Sequence, residues 1–243
     1  MIKLEIEKDY DALSSKAAQI FADCIKENPN SAFGFATGSS PIGMYKELVR
    51  MHKEEGLDFS GISAFNLDEY HPLAQHSKHS YHYFMQENLF DHINIKNTFI
   101  PNGMAADADA ECWDYQAKIK ATGGMAMQLL GIGTNGHIGF NEPSDSFEAN
   151  TRLVPLAEAT IKANSQHFDS PNDVPRHAIT MGIRDIMMAK KIILIANGVS
   201  KASIVRDAFY GPITPLVPAS ALQLHPSVTV VLDKEAASQL PAS

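Results

Sequence analysis

Short apolar runs alternate with amphipathic stretches along the chain. Ile2 to Ile6 alternates apolar and charged residues, the period of a strand, and Leu13, Ala17, Ile20, Phe21 and Cys24 then recur at helical spacing between about Asp9 and Lys26. Ala32 to Ala36 reads as an apolar strand. The helix expected after it runs from Pro41 to Glu55, with Ser40 as N-cap and Pro41 at the first helical position. Ile62–Leu67 and Met125–Leu130 are further strands, and Ser80–Phe90 and Ala106–Ala121 are expected helices. Towards the C-terminus come a buried strand at Ile192–Ala196, a helix at Val199–Phe209, another at Ala219–Leu224 and a last strand at Val228–Leu232. This alternation predicts an α/β fold: a Rossmann-like three-layer sandwich with a mainly parallel sheet and helices on both faces.

No repeat or low-complexity linker interrupts the pattern, which predicts one domain over residues 1–243. The stretch from Gly131 to about His177 is the exception. Irregular segments longer than about 15 residues are uncommon in compact domains and are often functional. A helix around Ala157–Phe168 is expected to divide it, and the remainder of residues 144–177 is a candidate lid.

Composition narrows the function classes. The formal net charge is −8 and no basic block exists, so nucleic acid is a poor partner. No apolar run reaches the roughly 18 residues of a membrane span, and the N-terminus lacks the apolar core of a secretory signal. A cytoplasmic enzyme that needs no membrane is expected. Cys24 and Cys112, the two cysteines, are expected to be buried free thiols.

Ligands of open α/β sheets bind beyond the carboxyl ends of the strands. That rule selects four segments. Thr37-Gly-Ser-Ser-Pro41 sets Gly38 and three hydroxyls, of Thr37, Ser39 and Ser40, before a helix N-terminus, which suits a phosphate; a plain serine-capped turn is the alternative. Asp68 and Glu69 are adjacent carboxylates at the end of an apolar strand, placed to take a proton from carbon or, alternatively, to cap a turn. Gly131-Ile-Gly-Thr-Asn-Gly-His-Ile-Gly-Phe-Asn-Glu-Pro143 contains GxGxxG, but a further glycine and then Asn-Glu-Pro leave no room for the helix that a dinucleotide loop requires. It offers instead His137 with Glu142 near by, an imidazole and a carboxylate able to orient it. Asn197-Gly-Val-Ser-Lys201 adds Lys201, either a cation for the same anion or a solvated surface lysine. The histidines at 71, 76, 79 and 82 raise the question of zinc. His79 and His82 could meet a metal only from one helical face, and without further ligands they are read as surface or substrate-lining groups, so no metal is expected.

These motifs carry a family resemblance. Phe65-Asn-Leu-Asp-Glu-Tyr70, the segment from Gly131 to Pro143, and Leu222-Gln-Leu-His-Pro226 resemble glucosamine-6-phosphate deaminases over nearly the whole chain, and Thr37–Pro41 and Lys201 fit in order and spacing. The resemblance implies isomerising deamination of a small phosphorylated amino sugar without a cofactor. Asp68 would move a proton between C2 and C1. His137, oriented by Glu142 and Asn135, would open the pyranose ring. Ser39, Ser40 and Lys201 match phosphate-holding positions, beside Thr37 and Gly38 of the same cradle. Gln166 stands where the family usually has a phosphate-binding arginine, which keeps the galactosamine isomer in view as substrate, ahead of a phosphogluconolactone and of a non-catalytic sugar-phosphate sensor. Longer members have an allosteric site between subunits. Arg152 is retained here, but Val154 replaces a lysine, which implies a short, non-allosteric form, with monomer and self-associated states both open.

Overall fold

The computed structural model describes residues 2–158, 161, 162, 168 and 174–241. Seven parallel strands form its main sheet: β1 (Ile2–Glu7), β2 (Ala32–Phe35), β3 (Ser63–Asn66), β5 (Asn97–Phe99), β6 (Met125–Leu130), β9 (Lys191–Ala196) and β10 (Val228–Asp233), in the spatial order β1-β10-β9-β6-β2-β3-β5. Every residue of β2 and β6 is buried, which requires cover on both faces. Helix α1 (Tyr10–Glu27) packs on α2 (Ile42–Glu55) and on β10, β9 and β6. Phe21 of α1 meets Phe33 and Phe35 of β2 at ring-centroid distances of 5.4 and 5.2 Å, so the helix spacing read from the sequence does bury its apolar face.

The strand order locates the site. From β2 the chain moves outward to β3 and β5; from β6 it moves the other way, to β9 and β10, with the first strand β1 at the edge beyond them. The carboxyl ends of β2 and β6, neighbours with opposite onward directions, therefore flank the crevice at the topological switch point.

A second, antiparallel sheet orders β4 (Asp68–His71), β8 (His177–Thr180) and β7 (Arg152–Pro155) as β4-β8-β7. Leu67 joins the two sheets: its N–H donates to Phe35 O at 3.1 Å, and its carbonyl accepts from Met181 N at 2.8 Å. Asp68 thus opens a new strand rather than ending the apolar one. The stretch expected to be irregular holds β7 and ends where β8 begins; β8 pairs with β4 and β7 with β8, a long-range effect that local pattern does not carry. Residues 158, 161 and 162 are helical, but most of the helix expected at Ala157–Phe168, and most of the candidate lid, lies outside the described residues.

Other differences are local. Helices α3 (Tyr81–Asn88) and α4 (Ala108–Ala121) match expectation, with a 3-10 turn at Phe90–His92. The short helix α5 (Ile183–Met187) was not expected. A 3-10 turn at Val199–Lys201 precedes α6 (Ala202–Tyr210), and the helix expected at Ala219–Leu224 is 3-10 over Pro218–Leu224. Helix α2 begins one residue later than expected, with Pro41 in the cap position and no side-chain cap bond. Ser40 is therefore not the N-cap; its hydroxyl donates to Asn197 Oδ1 at 2.7 Å, while Tyr10 Oη accepts from Gly43 N at 2.9 Å. Cys24 and Cys112 are buried free thiols. Among the described residues no helix is long and apolar enough to cross a membrane.

Candidate active site

A cavity of about 460 Å³ opens at the switch point. Thr37, Gly38, Ser39, Ser40, Asp68, Asn135, His137 and Lys201 all line it, so four segments distant in sequence converge as their strand ends require. Glu142 stands behind the imidazole, and Gln166 lies outside the described residues.

The cradle after β2 turns at Gly38, whose φ of 106° belongs to glycine. Tyr10 Oη donates to the carbonyls of Ser39 and Ser40 at 3.1 Å and fixes the loop from below. Lys201 reaches in from the β9 side. Its Nζ donates to Ile132 O at 2.7 Å, and burial holds its proton affinity below that of an ordinary lysine. The loop carrying it is anchored by Asp233, which accepts from Gly198 N at 2.9 Å. Hydroxyls, a helix N-terminus and one ammonium around a small cavity suit a phosphate monoester.

Asp68 is 6% exposed, and its carboxyl is pushed up to about 8, first by burial and then by the charge of Glu69. The two carboxylates are not a facing pair, because successive strand residues point to opposite sides. Asp68 faces the cavity, whereas Glu69 accepts backbone N–H bonds from Tyr70, Tyr81 and His82. A buried carboxyl with raised proton affinity beside a cavity is a suitable base for a carbon-bound proton.

The glycine-rich loop wraps the imidazole. No helix follows it, as the crowding of glycines implied. Gly133 N donates to His137 O at 2.9 Å, and a Cβ on Gly133 would fall inside the His137 ring. The Nδ1 of His137 lies 3.4 Å from Glu142 Oε2, close enough to stabilise an imidazolium although off the line of a hydrogen bond. Asn135 ties the group together: Nδ2 donates to Glu142 Oε2 at 2.6 Å, and Oδ1 accepts from His137 N at 3.2 Å. An amide can do both at once; an ionised aspartate has no proton to donate to Glu142. Phe140 N donates to Thr180 Oγ1 at 3.0 Å, and the Cβ position at Gly139 is 3.4 Å from Asp68 Oδ2, so the loop is seated directly against the base.

Sequence reasoning did not single out Tyr81, Phe140 or Asn197. Tyr81 and Phe140 line the cavity with rings 6.1 Å apart and 4° from parallel, and Asn197 fixes Ser40. The first residue of α3 was the available signal for Tyr81, but nothing local shows that α3 docks here. The histidine cluster separates: α3 starts at Tyr81, so His79 precedes it and stacks on Phe168 at 4.4 Å instead of sharing a helical face with His82. His225, in the third family motif, is buried and braces backbone on both sides: Nε2 lies 2.8 Å from Ala189 O, and Nδ1 accepts from Ser227 N at 3.1 Å.

Comparison with known proteins shows the family. The family model for glucosamine-6-phosphate isomerases/6-phosphogluconolactonase matches residues 7–231. A glucosamine-6-phosphate deaminase of Halothermothrix orenii is 52% identical over 241 residues, covering 98% of this chain and 100% of that protein. One from Thermoanaerobacter pseudethanolicus is 52% identical over 242 residues, covering 99% and 96%. A solved monomeric glucosamine-6-phosphate deaminase superposes with a TM-score of 0.95 at 47% identity, covering 98% of this chain and 99% of that one. With matches that run nearly end to end in both directions, the chain belongs to the family of glucosamine-6-phosphate isomerases and 6-phosphogluconolactonases.

Proposed function

We propose that this protein converts D-glucosamine 6-phosphate and water to D-fructose 6-phosphate and ammonia. The observation that carries the reading is one cavity in which a hydroxyl-and-lysine cradle, a buried carboxyl and a carboxylate-backed imidazole face the same space.

The chemistry follows from the positions. The phosphate sits on Thr37–Ser40 and Lys201, which fixes the sugar by its far end. His137 carries a proton from the anomeric hydroxyl to the ring oxygen, and the ring opens to the aldehyde. Glu142 steadies the imidazolium during that transfer. Asp68 then takes the proton from C2 while the aldehyde oxygen gains one from solvent, giving an enolamine, and Asp68 returns its proton to C1, leaving an iminium at C2. Water adds to that carbon, ammonia leaves with the proton it needs, and the ketone remains. Each transfer needs an acid or a base from the chain and no change in oxidation state of the protein.

The decisive measurement is ammonia release from glucosamine 6-phosphate beside galactosamine 6-phosphate. Turnover of the glucosamine ester with the galactosamine ester at least about tenfold poorer is expected, since a site that positions a hydroxyl discriminates against its epimer. Silence on both, or preference for the galactosamine ester, refutes the assignment. Substitution of Gly133 by alanine tests the loop. The new methyl displaces the mobile end of a side chain, so the fold is retained, but His137 leaves its seat. A loss of about 10²-fold in kcat, the lower range for one acid–base group, is expected with the melting temperature nearly unchanged. Parental kcat in the folded variant would mean that the ring's position is immaterial.

A further inference from the structure

Glu69 is 2% exposed, carries a carboxylate and takes no part in the reaction as derived. Its Oε1 accepts from Tyr70 N and Tyr81 N, and its Oε2 from His82 N, all at 2.9 Å. Ser80 Oγ accepts from Tyr83 N at 3.0 Å. Three of the N–H groups that a helix start leaves unpaired are thus satisfied on α3, two of them by an anion at the helix's positive end. There is little slack in the arrangement, because a Cβ on Gly103 would already lie 3.2 Å from Glu69 Cγ.

The residue held by this staple is Tyr81. Its ring packs 4.8 Å from that of Tyr70 and lies parallel to Phe140. Its ring borders the cavity that Asp68 and Thr37 of the phosphate cradle also line. One carboxylate therefore caps the helix that places this lining side chain.

We propose that Glu69 is a positioning residue for proton transfer at C2, docking α3 so that Tyr81 lines the cavity with Asp68 and Thr37, and placing a negative charge behind the Asp68 carboxyl. The inference rests on the role given to Asp68. Burial pulls Glu69 up to about 7 against three backbone N–H bonds that hold it down, so it is charged above neutrality, where Asp68 loses its own proton. The other groups around the pair are Tyr81 and His82 from α3, Tyr115 from α4, Tyr70 within β4, and uncharged Ile179 and Thr180 from β8. Burial lowers the proton affinity of His82, and His137 shares the cavity from the glycine-rich loop.

The test is the pH profile of ammonia release by Glu69→Gln and Glu69→Asp beside the parent. The glutamine removes the charge and presents an NH2 where a backbone N–H needs an acceptor. Its kcat is expected to fall about tenfold or more with KM within about twofold, and the acid limb of kcat/KM to move down by about half to one pH unit, because Asp68 no longer ionises beside a like charge. The aspartate keeps the charge but reaches α3 poorly. It should lose kcat while its acid limb stays at the parental pH. A Glu69→Gln variant whose acid limb does not move, or a Glu69→Asp variant whose limb moves with it, overturns the proposal and leaves Glu69 as a structural cap. If Glu69→Gln fails to fold by circular dichroism, the aspartate profile decides alone: loss of kcat at an unmoved limb supports positioning, and a shifted limb or parental kcat refutes it. A parent that releases no ammonia refutes the reaction itself, which is a different result.

Discussion

Asp68→Asn is expected to lower ammonia release by about 10³-fold or more while the substrate still binds. An amide of the same shape keeps the cavity but has no basic oxygen for the C2 proton, and one well-placed base contributes about 10²–10⁴-fold. Deuterium exchange separates chemistry from binding: in heavy water the parent should incorporate solvent deuterium into the sugar carbons, and the variant should not. The same change should stabilise the fold. The carboxyl rises from its ordinary 3.8 to about 8 on folding, so the stability associated with its neutral form is intact below about pH 4 and is lost as pH rises towards 8. An amide suffers no such loss. In urea titrations the variant should exceed the parent by about 1–2 kcal/mol at pH 9, the size of gain common when a strained functional position is relieved, and the two should converge near pH 4. Unchanged turnover would remove Asp68 from the mechanism. A variant less stable at pH 9 would show that the buried carboxylate is welcomed by partners rather than merely tolerated.

Much of this was readable without coordinates, for definite reasons. The parallel sheet announced itself because fully buried strands such as Met125–Leu130 are uninterrupted apolar runs, and the helices between them keep their 3.6-residue period. The glycine-rich loop was legible because crowded glycines before Asn-Glu-Pro leave no space for a packing helix. The antiparallel sheet was not legible. Asp68–His71 is polar and only four residues long, and it is a strand because Ile179 and Ala178 pair with Glu69 and Tyr70 from more than a hundred residues away. The role of Ser40 was misread for a related reason. Serine before proline is a local signature of a helix start, yet here the serine hydroxyl is drawn to Asn197 and a phenol from α1 meets the helix instead. Tertiary partners outweighed the local preference in both cases. The chemistry of the site, by contrast, was carried by residue types at strand ends, which topology alone brings together.

His137→Ala should separate ring opening from everything after it. On glucosamine 6-phosphate, kcat is expected to fall about 10²–10³-fold, since the closed sugar has no acidic C2 proton until the aldehyde forms. The 4,5-dideoxy analogue lacks both hydroxyls that could close a ring and is always open. Asp68 can act on it directly, so ammonia release from this analogue should fall less than about threefold in the variant. The two functions are separable in space: Gly133 packs against the imidazole and Glu142 stands 3.4 Å from it, whereas Asp68 is held by β4 and β8. Removing the ring leaves the base, its strand and the phosphate cradle in place. Equal losses on both substrates would mean that His137 serves the C2 transfer or the departure of ammonia. The carboxylate-backed imidazole would then belong to a later step, with ring opening left to solvent.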